Sequence, residues 1–177
     1  VLGKMEENIA EVRLDAETGQ FLDIRLYEKN LRFRCKRCAI HCCKLGGPCL
    51  TKEDMGQIES AGHKTSEFVE DSGRKYGSHS LMTNVMKNRE DGSCIFLRTD
   101  ERRNAYECSI YETRPIICRL FPFEIKRIGI SYYVLKVLPC SGLNEADGEL
   151  VNRKFIVKRL LENNHEHLLR FLEMVQP

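Results

Sequence analysis

The stretch FRCKRCAIHCCKLGGPC, Phe33 to Cys49, puts five cysteines into fifteen positions, two of them adjacent. Thiols packed this closely are disulfides, a redox pair, a nucleophile or metal ligands, and each use makes its own demand on the rest of the chain. The full set is nine, at positions 35, 38, 42, 43, 49, 94, 108, 118 and 140, so pairing within one chain would leave one over. Neighbours Cys42 and Cys43 cannot easily bond each other without strain. Cys35 and Cys38 form C-x2-C, a spacing that lets one turn of backbone aim two sulfurs at a single ion. No βαβ pattern surrounds that pair, which argues against a thioredoxin-type couple.

The composition around this stretch is that of a globular protein. Of 177 residues, 42% are apolar and 31% charged, enough for one domain with a real core. Lys plus Arg at 28 against Asp plus Glu at 26 leaves a net charge of +2, so no global field calls for nucleic acid or an anionic membrane. No apolar run approaches the roughly 18 residues of a spanning helix. The N-terminal segment VLGKMEENIAEVRL carries acidic residues where a signal peptide needs an apolar core. The expected location is cytoplasmic, where thiols stay reduced and clustered cysteines are metal ligands more often than disulfides.

The elements can be placed coarsely. IAEVRLDAETGQFLDIRLYEKN reads as two alternating strands around a Glu-Thr-Gly turn, an N-terminal hairpin or extension over residues 1–30. The cysteine stretch itself reads as loop, broken by GGP. Thr51 before KED is a helix N-cap, predicting a short helix over 52–61 that stops at Gly62. TSEFVEDSG and SLMTNVMK read as further helical turns. CIFL and YECSIY read as short strands with the charged loop RTDERRNA between them, and FPFEIKRIGISYYVLKVL as a hairpin around Gly129. From Val151 onward, apolar residues at 151, 155, 156, 160, 161, 168, 169 and 172 predict one long amphipathic helix. The expected fold is a small single α+β domain of short antiparallel strands and hairpins, with cysteine loops pinned by metal and the C-terminal helix covering one face. Residues 31–143 would form the metal-binding part, and 144–177 would pack on it.

Chemistry narrows the ion. All-thiolate surroundings favour zinc or iron–sulfur over hard cations, which want oxygen. Four thiolates complete a tetrahedral zinc or a 4Fe-4S cluster, and eight suffice for two such sites or one shared polynuclear site. The spacing does not separate the metals: the second C-x2-C of a zinc ribbon and the ferredoxin run C-x2-C-x2-C-x3-C-P are both absent. Cys94, Cys108, Cys118 and Cys140 each stand near the end of a predicted strand or turn, where separated elements can deliver ligands to one locus.

Together FRCKRCAIHCC, GSCIFL, YECSIYETRPIICRLFPFEI and LPCSG resemble the zinc- or iron-chelating CxxCxxCC family. These are the YkgJ-type cysteine-cluster proteins, described as iron–sulfur-cluster-containing or flagellin N-methylase-like. The likeness runs over about residues 31–143, and its most specific part is C-x-I-Y-x-x-R-P-x-x-C-R-x-F-P-F. It implies that the metal ligands are Cys35, Cys38, Cys42, Cys43, Cys94, Cys108, Cys118 and Cys140, with Cys49 left over. The family's first motif usually has two residues between its second and third cysteines, whereas here Ala39, Ile40 and His41 intervene. That departure leaves open which of Cys42 and Cys43 takes the third role, and it brings His41 into reach as a substitute ligand.

Arg114 and Arg119 flank Cys118 and would be natural partners for an anionic thiolate site; an anion pocket is the sharper alternative. Arg32, Arg34, Lys36, Arg37 and Lys44 make the loop basic, but Phe33 is its only aromatic, which disfavours RNA. His165 and His167 are two apart, so they point to different faces of a helix and read as solvated. His63 and His79 carry no signal. A glycine-rich phosphate loop, a G-x-G-x-x-G turn and a Ser-His-Asp pattern are absent, so a methyltransferase with its own Rossmann domain is not expected. The leading expectation is a cysteine-cluster protein carrying iron–sulfur or zinc, acting in electron transfer or as accessory to a modification reaction on an unknown protein partner or substrate. The alternatives are a protein-lysine N-methylase-like enzyme, suggested only by the resemblance, and a zinc-stapled interaction module.

Overall fold

The computed structural model describes residues 7–71, 74–75, 81–102, 105–161 and 165–175. In chain order the elements are β1 (Glu7–Leu14), β2 (Phe21–Leu26), β3 (Arg32–Phe33), α1 (Ile40–Lys44), α2 (Lys52–Ser60), α3 (Thr65–Phe68), β4 (Arg74–Lys75) and β5 (Leu81–Met82). There follow β6 (Leu97–Asp100), β7 (Ala105–Cys108), α4 (Ile116–Leu120), β8 (Phe123–Arg127), β9 (Tyr132–Val137), β10 (Glu149–Leu150), α5 (Arg153–Phe155) and α6 (His165–Val175). The fold is mixed α+β with short antiparallel strands, as the pattern of turns and alternation predicted. The chain forms two compact units, Val1–Lys36 with Leu120–Pro177, and Arg37–Arg119.

The first unit is built on a four-stranded antiparallel sheet of order β2-β1-β9-β8. Its N-terminal hairpin closes on Asp15, whose carboxylate accepts from the Thr18 and Glu17 backbone N–H groups, while Gly19 supplies the left-handed turn at φ 69°. The Gly129 hairpin joins β8 to β9 as expected. Alternation on β8 buries Phe123 and Ile125 and exposes Glu124 and Lys126. On β1 the register slips between Asn8 and Ala10, and the neighbours Ile9 and Ala10 are both buried. Phe33, Phe123 and Phe155 meet edge to face with centroids 5.2 to 6.4 Å apart, joining β3, β8 and α5 in one core.

The C-terminal segment is helical at the expected apolar positions from Phe155 onward, but Val151 lies outside it, next to β10, and the helix is not one regular run. After α5 it widens into a π-helical stretch over Ile156–Leu161, and it resumes as α6; residues 162–164 lie outside the described ones. Val151, Phe155, Ile156, Leu161, Leu168, Leu169 and Leu172 are buried. A π turn rotates the helix face, which lets a pattern drifting from 3.6 keep pointing inward. His167 is buried rather than solvated, because 168, 169 and 172 carry the inward face with it.

The second unit packs Leu50, Ile58, Phe68, Met86, Phe96, Leu97 and Ile110 together with Ala39, Cys43 and Cys94. Helix α2 starts in the expected capping box: Thr51 Oγ1 accepts from Asp54 N at 3.1 Å, and Asp54 Oδ2 accepts in turn from Thr51 N at 3.0 Å. It stops at Gly62, φ 96°. The segment read as helical at 80–87 is extended where described: β5 pairs β4, Val85 bridges Cys49, and Met86 bridges Val69. Long-range pairing overrides a weak helical preference there, since both Val85 and Met86 are fully enclosed. Strand β6 begins at Leu97 and runs into the charged stretch expected to be loop; Cys94 precedes it as a bridge to Asn88. Among the described residues no helix is long and apolar enough to cross a membrane.

Candidate metal centre

The cysteine stretch is not all loop. Arg37 and Ala39, on either side of Cys38, both take the left-handed conformation, at φ 53° and 50°. Non-glycine residues pay for that region unless packing holds them there, and Ala39 is buried in the core of the second unit. The turn at Ala39 then starts α1, which carries His41, Cys42 and Cys43. Ala39, Ile40 and His41, the three residues between Cys38 and Cys42, form this turn and the start of the helix. His41 is exposed, Cys42 partly buried and Cys43 buried.

After α1 the chain passes Gly47, where a Cβ would lie 2.5 Å from the Met86 carbonyl oxygen, so only glycine allows so close an approach. The Cys43 carbonyl accepts from Cys94 N at 2.9 Å, tying α1 to the start of the β6–β7 hairpin. Cys108 ends β7, opposite Leu97. Cys118 sits on α4, whose first N–H, from Ile116, is received at 2.8 Å by Asp54 Oδ1. The fully buried Asp54 carboxylate thus caps its own helix and that of Cys118. Six of the eight expected ligands, Cys38, Cys42, Cys43, Cys94, Cys108 and Cys118, belong to this second unit, as does the buried Cys49.

Three of these thiols form a hydrogen-bonded set. Cys43 lies between Cys108 and Cys42 and bonds both, which pushes its own thiol far up and, as the leading cause, lowers Cys42 and Cys108 to about 7. The Arg114 guanidinium helps lower both. Burial raises Cys94 to about 11, and its Sγ touches Met86 Sδ at 3.3 Å. Burial also pushes Cys118 well up, and the charges of Cys94, Cys42 and Cys108 add to it. Five sulfurs therefore share one electrostatic neighbourhood. Among the described residues no three or more His, Cys, Asp or Glu side chains close around a point that an ion would occupy. Cys43 instead hydrogen-bonds with Cys42 and Cys108, and the Cys94 thiol donates to Met86 Sδ.

In the first unit, Cys35 is exposed and Cys140 partly so. Their segments run side by side: Arg34 N donates to the Gly142 carbonyl at 2.9 Å, and Gly142 N donates to Cys140 Sγ at 3.4 Å. A Cβ on Gly142 would lie 2.2 Å from the Arg34 carbonyl oxygen. The basic loop is largely matched by carboxylates, with Arg34 on Asp147, Lys36 on Glu145 and Arg37 on Glu112. These pairs are exposed, worth about 0–1 kcal/mol each.

Sequence reading missed Asp54 and Tyr111. The carboxylate was visible only as a capping-box residue. Tyr111 was visible only as part of a motif, yet it holds Arg37 and Arg114 against its ring. The donor set fits a soft metal: clustered thiols, and beside them the buried Nε of Arg114, which has no hydrogen-bond partner among the described residues.

Comparison with known proteins agrees with this chemistry. The family model described as "Putative zinc- or iron-chelating domain" matches residues 34–145, a span that holds all nine cysteines. An uncharacterized protein of Methanocaldococcus jannaschii is 28% identical over 134 residues, covering 73% of this chain and 68% of the relative. No solved structure matches the chain. With the match covering well over half of its length, the chain belongs to the CxxCxxCC family of zinc- or iron-chelating domains.

Proposed function

We propose that this chain binds a soft metal through its clustered cysteines, as an iron–sulfur cluster in preference to zinc, and serves electron transfer or a modification reaction as an accessory. The proposed ligands are Cys38, Cys42, Cys43, Cys94, Cys108 and Cys118 of the second unit, and Cys35 and Cys140 of the first. The observation that carries the reading is Cys43, hydrogen-bonded to Cys42 and Cys108 while its carbonyl holds Cys94 N. Helix α1 and the β6–β7 hairpin, distant in sequence, thus meet through thiols, where an ordinary core would use hydrocarbon. An ion would replace the S–H bonds with metal–sulfur bonds and release the protons. Bound iron–sulfur would supply one-electron chemistry; the chain's part is to hold the thiolates and limit their access to water.

The test is purification without oxygen from cells grown with ample iron, followed by iron, zinc and acid-labile sulfide analysis. Iron with sulfide, and broad visible absorption that bleaches in air, is the expected result. Stoichiometric zinc alone would overturn the iron reading and leave a closed, stapled module.

A further inference from the structure

Tyr111 opens a single 3-10 turn, Tyr111–Thr113, and Arg114 follows it. In that geometry side chains three apart eclipse, which stacks Arg114 over the ring it follows. Pro115 bars the helical conformation at the residue before it, and Arg114 is accordingly extended at φ −58°, ψ 142°. The Arg114 guanidinium carbon lies 3.6 Å from the Tyr111 ring centroid, and that of Arg37 lies 3.9 Å from the same centroid. Two guanidiniums that close could not share a face without overlapping, so the ring is held between them. Glu112 tethers Arg37 from outside at 3.3 Å.

Two like charges do not gather on one ring without a reason. The ring faces attract both, and Glu112 offsets one of them. The other remains: Arg114 Nε is buried and has no hydrogen-bond partner among the described residues. Tyr111 lies three residues after Cys108, Arg114 two residues before α4, the helix that carries Cys118, and Arg37 beside Cys38, so the clamp stands among the segments that hold these thiols. A set of metal-bound thiolates is anionic, and its sulfurs accept N–H bonds. We propose that Arg114, clamped with Arg37 on opposite faces of Tyr111, is a positioning residue that donates its Nε–H to a metal-bound thiolate of the second unit and offsets the negative charge gathered there. The inference rests on the metal reading above and adds to it a residue that touches sulfur, not metal.

The full chain, reduced and free of oxygen, is titrated with Zn²⁺ against a chromophoric chelator and with Co²⁺ followed by its sulfur-to-metal charge-transfer band. Arg114→Gln and Tyr111→Leu should each weaken Zn²⁺ binding by about 10- to 100-fold. Tyr111→Phe, which keeps the ring, should bind more tightly than Tyr111→Leu. Arg114→Lys, which keeps the charge but not the flat stacked N–H, should recover only part of the loss. The Co²⁺ band should move in Arg114→Gln, a change that loosened packing alone would not produce. Wild-type Zn²⁺ affinity with an unmoved band in Arg114→Gln overturns the proposal. Should that variant fail to fold, Arg114→Lys and Tyr111→Leu decide in its place, and wild-type affinity in both overturns it. Wild-type protein that takes up neither ion overturns the metal reading itself, and this inference with it.

Discussion

Asp54 shows how much one side chain can organise when its partners are far away in sequence. It is fully buried, accepts from Thr51 N and Thr51 Oγ1 through one oxygen, and accepts from Ile116 N through the other. Burial pulls the Arg119 guanidinium below its ordinary value, and the Asp54 charge pulls the other way. Asp54→Ala would leave two buried N–H groups without an acceptor, at about 1–3 kcal/mol each, so a loss of about 2–6 kcal/mol is expected in urea unfolding. Asp54→Asn keeps one acceptor oxygen and should lose less. The thiols divide in a similar way. Cys49 is buried, and its backbone bridges Val85. Cys49→Ala should keep the metal and lose about 1–3 kcal/mol from the cavity alone. Cys118→Ala, and likewise Cys35→Ala and Cys38→Ala, should lower the metal-to-protein ratio. Side-by-side metal analysis checks this, and a full site in Cys118→Ala beside an empty one in Cys49→Ala would reverse the assignment.

At the scale of elements, the placement of the thiols depends on close backbone passages as much as on hydrogen bonds. Helix α1 is five residues long, too short to be stable on its own, and is held by its buried Cys43 and by the Cys94 N–H on its carbonyl. Just beyond it, Met86 N donates to the Pro48 carbonyl at 2.9 Å, and Gly47 passes against the Met86 backbone. Gly47→Ala should push these strands apart and cost about 1–3 kcal/mol as overpacking. Because the displaced segment leads directly out of α1, metal uptake should fall along with the melting temperature. An unchanged metal content with lowered stability would show that α1 keeps its place without that passage.

At the scale of the whole molecule, stability and ligation are one quantity if the thiols bind metal, because the ligand set is assembled only by folding. Removing the ion with a strong chelator under reducing conditions should lower the melting temperature; ligand at a hundred times its dissociation constant contributes about 2.7 kcal/mol. The same linkage tests the methylase alternative. S-adenosylmethionine should give a flat thermal-shift titration and no calorimetric heat with the metal-loaded chain, because the sequence carries no glycine-rich turn for such a cofactor. A saturable upward shift would instead favour the methylase alternative over an accessory role.

How much of this was legible in the sequence follows from the range of the forces involved. The N-terminal hairpin, the Thr51-capped helix with its stop at Gly62 and the Gly129 hairpin were all readable, because caps, turns and alternation act over a few residues. The thiol pattern and the family it marks were readable too, since ligand chemistry is written in residue type and order. The extended 81–86 segment, the π turn at Ile156–Leu161 and the burial of His167 were not, because each answers to packing that local propensity does not see. The same holds for the cap that Asp54 provides 62 residues away, and for the ring that brings Arg37 to Arg114. Tertiary structure alone decided which thiols neighbour which, because a hydrogen bond or a stacked ring depends on distance in space, and the folded core sets that distance.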